Sequence, residues 1–302
     1  MRERRGAYHP AMTSPEPLPV DRGAGFTVER VRHGIVVVTL DRPGRMNAMT
    51  QAMKRDLIEL FTRLQMDDSV RVLVITGSGA AFCAGDDMGA YHEGAPLTVP
   101  AIGGGHDTPI GTATALRVYS QAVNVALRNL DKMTIAAING PAIQTGLSLA
   151  LSCDFRIGST DARLGSATLR FALLPDEGGH YLLVQHLGLG RALEFILRKR
   201  IVGAAEALEL GLLSEVVEAD ALLPTALSLA EELATGPQVA MRMLKRSLYN
   251  AAESNFAQAL DDIAVRTAVT DHHPDAKEGG RSFAEKRQPR FNAWLEGGPA
   301  DH

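Results

Sequence analysis

Cysteine, aromatic residues and charge of one sign are all scarce in this chain. Of 302 residues only Cys83 and Cys153 are cysteines, one is tryptophan, and aromatic residues make up 5%. Two distant cysteines, with no CxxC pair and no histidine at metal-ligand spacing, exclude a disulfide framework and a zinc module and point to a reducing, cytoplasmic setting. No apolar run approaches the roughly 20 residues of a membrane-spanning helix, so no membrane partner is expected. The net charge is −4 and the basic residues are scattered apart from the termini, which argues against a nucleic-acid partner. What is present, 45% hydrophobic and 22% charged residues, is ordinary for a globular protein.

The first five residues carry Arg2, Arg4 and Arg5, but Gly6, Tyr8, His9 and Pro10 follow where a secretory signal needs an apolar stretch. Glu3 and several prolines speak against a transit peptide, and residues 1–25 are expected to be a flexible tail. Residues 28–31 and 35–40 then flank a tight turn at Arg32, His33 and Gly34, the pattern of a hairpin. Met53, Leu57, Leu60, Phe61 and Leu64 recur at helical spacing, with Thr50 as N-cap. Residues 72–76 and 134–138 are short continuous apolar runs, typical of strands buried on both faces, and a helical stretch over 113–130 separates them. This alternation predicts an α/β fold with right-handed crossovers. Residues 89–112, with three glycines in a row and three prolines, form a long connection that could close over a ligand as a lid. Beyond residue 204 the pattern is almost wholly helical, with helices expected over 221–234, 238–250, 256–269 and 275–286. The expected organisation is therefore a core over 26–220 and a helical region over 221–302, without a usable internal repeat.

Two segments of small residues follow the two buried strands. The first, TGSGAAFCAGDDM over 76–88, lacks the Gly-Lys-Ser/Thr of a phosphate loop and the spacing of a dinucleotide fingerprint. The second, NGPAIQTG over 139–146, leads into an apolar helix expected to start near Leu147. A helix start exposes unpaired N–H groups, which suit a developing negative charge. Read alone, the first segment could also be a plain strand-to-loop turn.

In order and spacing, six runs resemble the crotonase (enoyl-CoA hydratase/isomerase) superfamily over about residues 26–295. They are LDRPGRMNAM at 40–49, the stretch 82–88, NGPA at 139–142, ALSCDFRI at 150–157, LPDEGG at 174–179 and FAEKRQP at 283–289. The resemblance implies a crotonase-like ββα spiral core, a C-terminal helical trimerisation region, and a homotrimer or homohexamer. It implies an acyl-CoA thioester as substrate, with coenzyme A as part of that substrate and no separate cofactor or metal. It also implies an oxyanion hole built from the backbone N–H groups of Asp86 and Thr145. Coenzyme A would be bordered by Arg45, Met46, Ala84, Gly85, Asp87 and Met88, and approached by Lys286. Thr145 departs from the usual glycine. Asp86 is the odder residue there, because a carboxylate directed into the hole would repel an enolate; it is expected to point away or to bond local backbone N–H groups.

The family's hydratases use two glutamates, and the matching positions hold Ser148 and Thr168. Neither hydroxyl serves as a carboxylate base near neutral pH, so they are expected to orient water or substrate, or simply to pack. Asp176 matches the acidic base of dienoyl-CoA isomerase-like and phenylacetate-pathway isomerase-like members. One carboxylate suffices for a 1,3-proton shift, so an isomerase with Asp176 as base is the favoured reading. An alternative role for Asp176 is the N-cap of a helix starting near Gly178, and Glu177 reads as a first-turn residue favoured by the helix dipole. Other readings are a hydratase with atypical residues, a thioesterase or decarboxylase on the same scaffold, and a non-catalytic acyl-CoA-binding protein. His106, His180 and His186 stand at no triad spacing, and Cys83 reads as a small packing residue.

Overall fold

The computed structural model describes residues 22–89 and 108–296. β2 (Phe26–Val31) and β3 (Ile35–Leu40) form the expected antiparallel hairpin, and β1 (Arg22–Gly23) pairs with β2. Ordered pairing thus begins inside the stretch expected to be tail. β4 (Val72–Gly77), β5 (Met133–Ile138), β7 (Phe155–Ser159) and β10 (Glu215–Val217) extend the sheet in parallel, in the order β1-β2-β3-β4-β5-β7-β10. β6 (Pro141–Ile143), β8 (Arg163–Gly165) and β9 (Ile201–Gly203) make a second, three-stranded sheet.

Single bridges Met49 to Asp86 and Cys83 to Ala142 continue that second sheet. Each turn of chain therefore lays one strand in the large sheet, a shorter one in the small sheet, and then a helix. Helix α1 (Gln51–Met66) follows Met49; α2 (Pro109–Ala115), a π-helical segment over Leu116–Ser120 and α3 (Gln121–Arg128) follow the 83–86 stretch. After β6 comes α4 (Thr145–Leu151), and after β8 come α5 (Gly179–Leu187) and α6 (Leu189–Leu197). The second small segment thus turns helical at Thr145, two residues earlier than its apolar pattern suggests. The long connection is helical from Pro109, and the lid expected there falls on residues 90–107, which lie outside the described residues.

The strands read as continuous apolar runs because both faces are covered. Val36, Val38, Leu40, Leu73 and Ile75 pack under α1, whose Met53, Leu57, Leu60, Phe61 and Leu64 are all buried. Burial of side chains this size stabilises by about 1.5–3 kcal/mol each. Thr50 caps α1 by accepting from the Met53 N–H at 3.2 Å. The alternate residues, Ile35, Val37, Val72, Val74 and Ile135, face α8 (Leu222–Thr235), where Ala226, Ala230 and Ala234 allow a close approach; α7 (Ala204–Glu209) precedes it.

α9 (Gln238–Ala251), α10 (Phe256–Asp271) and α11 (Pro274–Glu285) complete the helical region. α9 is tied to the sheet by Asp154, which accepts from Lys245 Nζ at 2.8 Å, Tyr249 Oη at 2.7 Å, and both the N–H and hydroxyl of Thr134 at 2.8 and 2.9 Å. α10 buries none of its own residues and presents Leu260, Ile263, Val265 and Val269 to the outside. Among the described residues no helix is long and apolar enough to cross a membrane.

Asp154→Ala leaves the Lys245 ammonium buried without its carboxylate and is expected to cost about 3–5 kcal/mol. Urea unfolding with the midpoint and slope fitted separately checks this, and a loss below about 1 kcal/mol would mean that Lys245 finds another partner.

Candidate active site

The two small-residue segments lie against each other. Cys83 donates its N–H to Pro141 O at 2.9 Å and accepts from the Ile143 N–H at 2.9 Å. A Cβ on Gly146 would stand 2.1 Å from Cys83 O, and one on Gly140 would stand 2.1 Å from Ala80 O, so only glycine permits this contact. Met49 bonds to Gly85 O and to the Asp87 N–H, which turns the backbone N–H of Asp86 away from Met49. Thr145 is the first residue of α4, and such an N–H has no acceptor within its own helix. Gln144, just before it, is held at φ 51°, ψ −105°, a strained backbone for a residue with a Cβ.

Three carboxyl groups converge here. Asp86 Oδ2 accepts from Lys54 Nζ at 2.8 Å, and Asp86 Oδ1 lies 2.7 Å from Thr145 Oγ1. The same hydroxyl lies 2.5 Å from Glu177 Oε1, while Glu177 Oε2 accepts from Gln144 Nε2 at 2.9 Å. Asp176 stands beside Glu177. Gln121 and Asn124, one helical turn apart on α3, donate to the carbonyl oxygens of Asp176 and Glu177 at 3.0 and 3.1 Å and so fix this stretch of backbone.

Burial and then the charge of Asp86 hold the Asp176 carboxyl above the usual carboxylate range. Burial, followed by the charges of Asp86 and Asp176, pushes Glu177 up to about 7. Among the described residues the ammonium touching the cluster is that of Lys54, itself 1% exposed and bonded to Ser120 Oγ at 2.8 Å.

Several expectations change. The Asp86 carboxylate reaches two side chains, Lys54 and Thr145, rather than only local backbone. Asp176 does not cap α5, because the N-cap is Gly178 and no side chain bonds there. Glu177 precedes the helix and is buried against Thr145 and Gln144, so it is not a first-turn dipole residue. Lys54, Gln121, Asn124 and Gln144 escape a sequence reading because each looks like an ordinary polar position of a helix or turn.

The remaining expected residues take plainer places. Ser148 is buried on α4 against Gly179. Thr168 has a buried Oγ1 without a hydrogen bond among the described residues. Arg45 and Met46 are exposed, and Met46 O accepts from the Ala84 N–H at 3.0 Å; Gly85 is buried beneath Gln144, and Met88 is exposed. Asp87 is buried with its carboxylate 2.7 Å from Arg42 Nη2. Lys286 ends α11, its N–H bonded to Phe283 O. His180 Nδ1 lies 2.8 Å from Pro175 O and His186 Nε2 lies 3.4 Å from Leu151 O, whereas His106 falls outside the described residues.

The family model described as enoyl-CoA hydratase/isomerase matches residues 30–293. A probable enoyl-CoA hydratase of Mycobacterium leprae is 38% identical over 262 residues, covering 85% of this chain and 86% of the relative. The 1,2-epoxyphenylacetyl-CoA isomerase of Escherichia coli is 31% identical, with 88% and 98% covered. Among solved structures, that of a putative enoyl-CoA hydratase from Streptomyces coelicolor aligns with a TM-score of 0.82 and 31% identity over 94% of this chain and 99% of that one. The fold is crotonase-like, as the motifs imply.

Burial pushes both Cys83 and Cys153 up to about 12, so neither forms a thiolate near neutral pH. Neither is expected to react with a thiol reagent at about pH 8 in the native protein, and both are expected to react after unfolding. Mass spectrometry counts the labels, and native labelling of Cys83 would show that the two segments separate readily.

Proposed function

The chain belongs to the enoyl-CoA hydratase/isomerase family, and on that premise we propose that it moves a double bond within an acyl-CoA thioester, with Asp176 as base. The observation that carries this reading is the half-buried Asp176 carboxyl, raised by burial and by Asp86 at the edge of the two small-residue segments. A base poised toward neutral pH can take a proton and return it. Ser148 and Thr168, at the positions of the hydratase glutamates, hold hydroxyls only.

In this mechanism the thioester oxygen accepts from the backbone N–H groups of Asp86 and Thr145, donors fixed before reaction. Asp176 removes an activated carbon-bound proton, negative charge develops on that oxygen, and the same acid delivers the proton to another carbon. The name of the Escherichia coli relative supports an isomerase, while that of the Mycobacterium leprae relative favours hydration.

Arg45, Met46, Ala84, Gly85, Asp87 and Met88 would border coenzyme A in this reading, with Lys286 approaching its phosphates. The uncovered apolar face of α10 supports assembly into a homotrimer or homohexamer, and a cytoplasmic setting suits two free, buried cysteines.

Proton NMR in D2O with a panel of unsaturated and ring-bearing acyl-CoA thioesters is expected to show double-bond migration and deuterium uptake without water addition. Asp176→Asn should lower the rate by about 10²–10⁴-fold while acyl-CoA binding persists. A 3-hydroxyacyl product would establish hydration instead, and binding without turnover would favour a non-catalytic protein. Light scattering after size exclusion is expected to give three or six chains per particle; a monomer would remove the assembly.

A further inference from the structure

The hydroxyl of Thr145 has one proton and two carboxyl oxygens in contact, Asp86 Oδ1 at 2.7 Å and Glu177 Oε1 at 2.5 Å. One proton cannot serve both contacts if both groups are ionised. An O···O distance this short without a proton is repulsive, so one of the two carboxyl groups must bring its own. Asp86 Oδ2 stands 2.8 Å from the Lys54 ammonium and is the carboxylate of that ion pair. Among the described residues no cation touches Glu177. Its Oε2 accepts from Gln144, whose Oε1 in turn lies 3.4 Å from Ser166 Oγ.

We infer that Glu177 is a neutral carboxylic acid acting as a positioning residue: its Oε1–H donates to Thr145 Oγ1, whose own proton goes to Asp86 Oδ1, and this chain locks together the two residues that offer the oxyanion-hole N–H groups. This rests on the proposed acyl-CoA reading of those N–H groups. The chain ends on Lys54, so the line Glu177, Thr145, Asp86, Lys54 carries no net charge beside the hole. Ionising Glu177 would add a negative charge near the developing oxyanion and leave one hydroxyl between two carboxylates.

The charged groups facing Glu177 are Asp176 on its own segment, Asp86 from the first small-residue segment and Lys54 from α1; the titratable thiol of Cys83, from that same first segment, also faces it and is kept neutral by burial. Two of the three charged groups disfavour its ionisation, as does its 3% exposure. Glutamine at 177 fits the same contacts, with its amide N–H donating to Thr145 and its carbonyl accepting from Gln144, and it does not titrate.

The decisive experiment pairs a pH–rate profile with an infrared titration. With the acyl-CoA substrate found in the D2O screen, kcat/KM of the wild type is expected to fall about tenfold per pH unit above about 7. Glu177→Gln should keep the wild-type rate near pH 6 within a fewfold and lack this alkaline limb, and Glu177→Ala should be slow at every pH. An unchanged limb in Glu177→Gln, or full activity in Glu177→Ala, overturns the inference. The infrared arm needs no substrate and no variant. In protein carrying 13C on its glutamate carboxyl groups, a glutamic acid carbonyl band should persist to about pH 7. Complete ionisation of every glutamate by about pH 6 overturns the inference even if the enzyme is active. A persistent band without any turnover would instead uphold the neutral Glu177 and remove the proposed reaction.

Discussion

Everything at the site depends on the backbone of residues 80–86 lying directly on residues 140–146. The contact is possible because Gly140 and Gly146 put no Cβ where Ala80 O and Cys83 O stand. It is held by the hydrogen bonds between Cys83 and its neighbours Pro141 and Ile143. Once those segments touch, residues 59 positions apart in sequence, Asp86 and Thr145, come within a hydrogen bond. Gly85, at φ +111°, sets the turn that aims Asp86 away from Met49. The strain at Gln144 is the local cost of starting α4 at the edge of this contact, and the bonds of Gln144 to Gly165 and Glu177 offset it.

That close approach concentrates acid. Asp86, Asp176 and Glu177 would repel one another if all were ionised, and the one ammonium in contact with them among the described residues comes from a helix on the far side of Asp86. A buried lysine is tolerated only where its charge is met, and Lys54 has both Asp86 and Ser120. The charge balance of the site is therefore set by α1, an element that otherwise serves as a core helix. The carboxyl groups without that partner respond by holding their protons to higher pH.

Much of the fold was legible because its causes are local. Alternating burial on both faces made 72–76 and 134–138 continuous apolar runs, Thr50 capped where a threonine before an apolar period should, and the four C-terminal helices followed their period to within a few residues. The small sheet was not legible. Its members are single bridges at Met49, Cys83 and Asp86 or strands of three residues, too short to carry an alternation, so the repeating turn of the spiral left no repeat in the side chains. At the site, motif resemblance alone points to Thr145, Asp86 and Asp176. Glu177 was read as a dipole residue because nothing in Pro175-Asp176-Glu177-Gly178 says that the chain delays its helix until Gly179 and buries the second acid first. Lys54, a charge one position from the buried Met53, looks like the edge of a polar face until the fold brings Asp86 to it.

The two adjacent acids illustrate how one environment divides labour. Backbone fixed by Gln121 and Asn124 leaves Asp176 partly exposed and Glu177 3% exposed, only one residue apart. A group that must exchange protons with a substrate needs access, which the outer acid retains. A group that must hold a geometry gains from being enclosed by fixed partners, which the inner acid has in Thr145 and Gln144. Both carboxyl groups are raised by burial and by Asp86, and the charge of Asp176 also acts on Glu177, so protonation of one eases ionisation of the other. A neutral Glu177, as inferred above, would do more than brace the hole: by withholding its own negative charge it would let Asp176 ionise, the form that the proposed base requires.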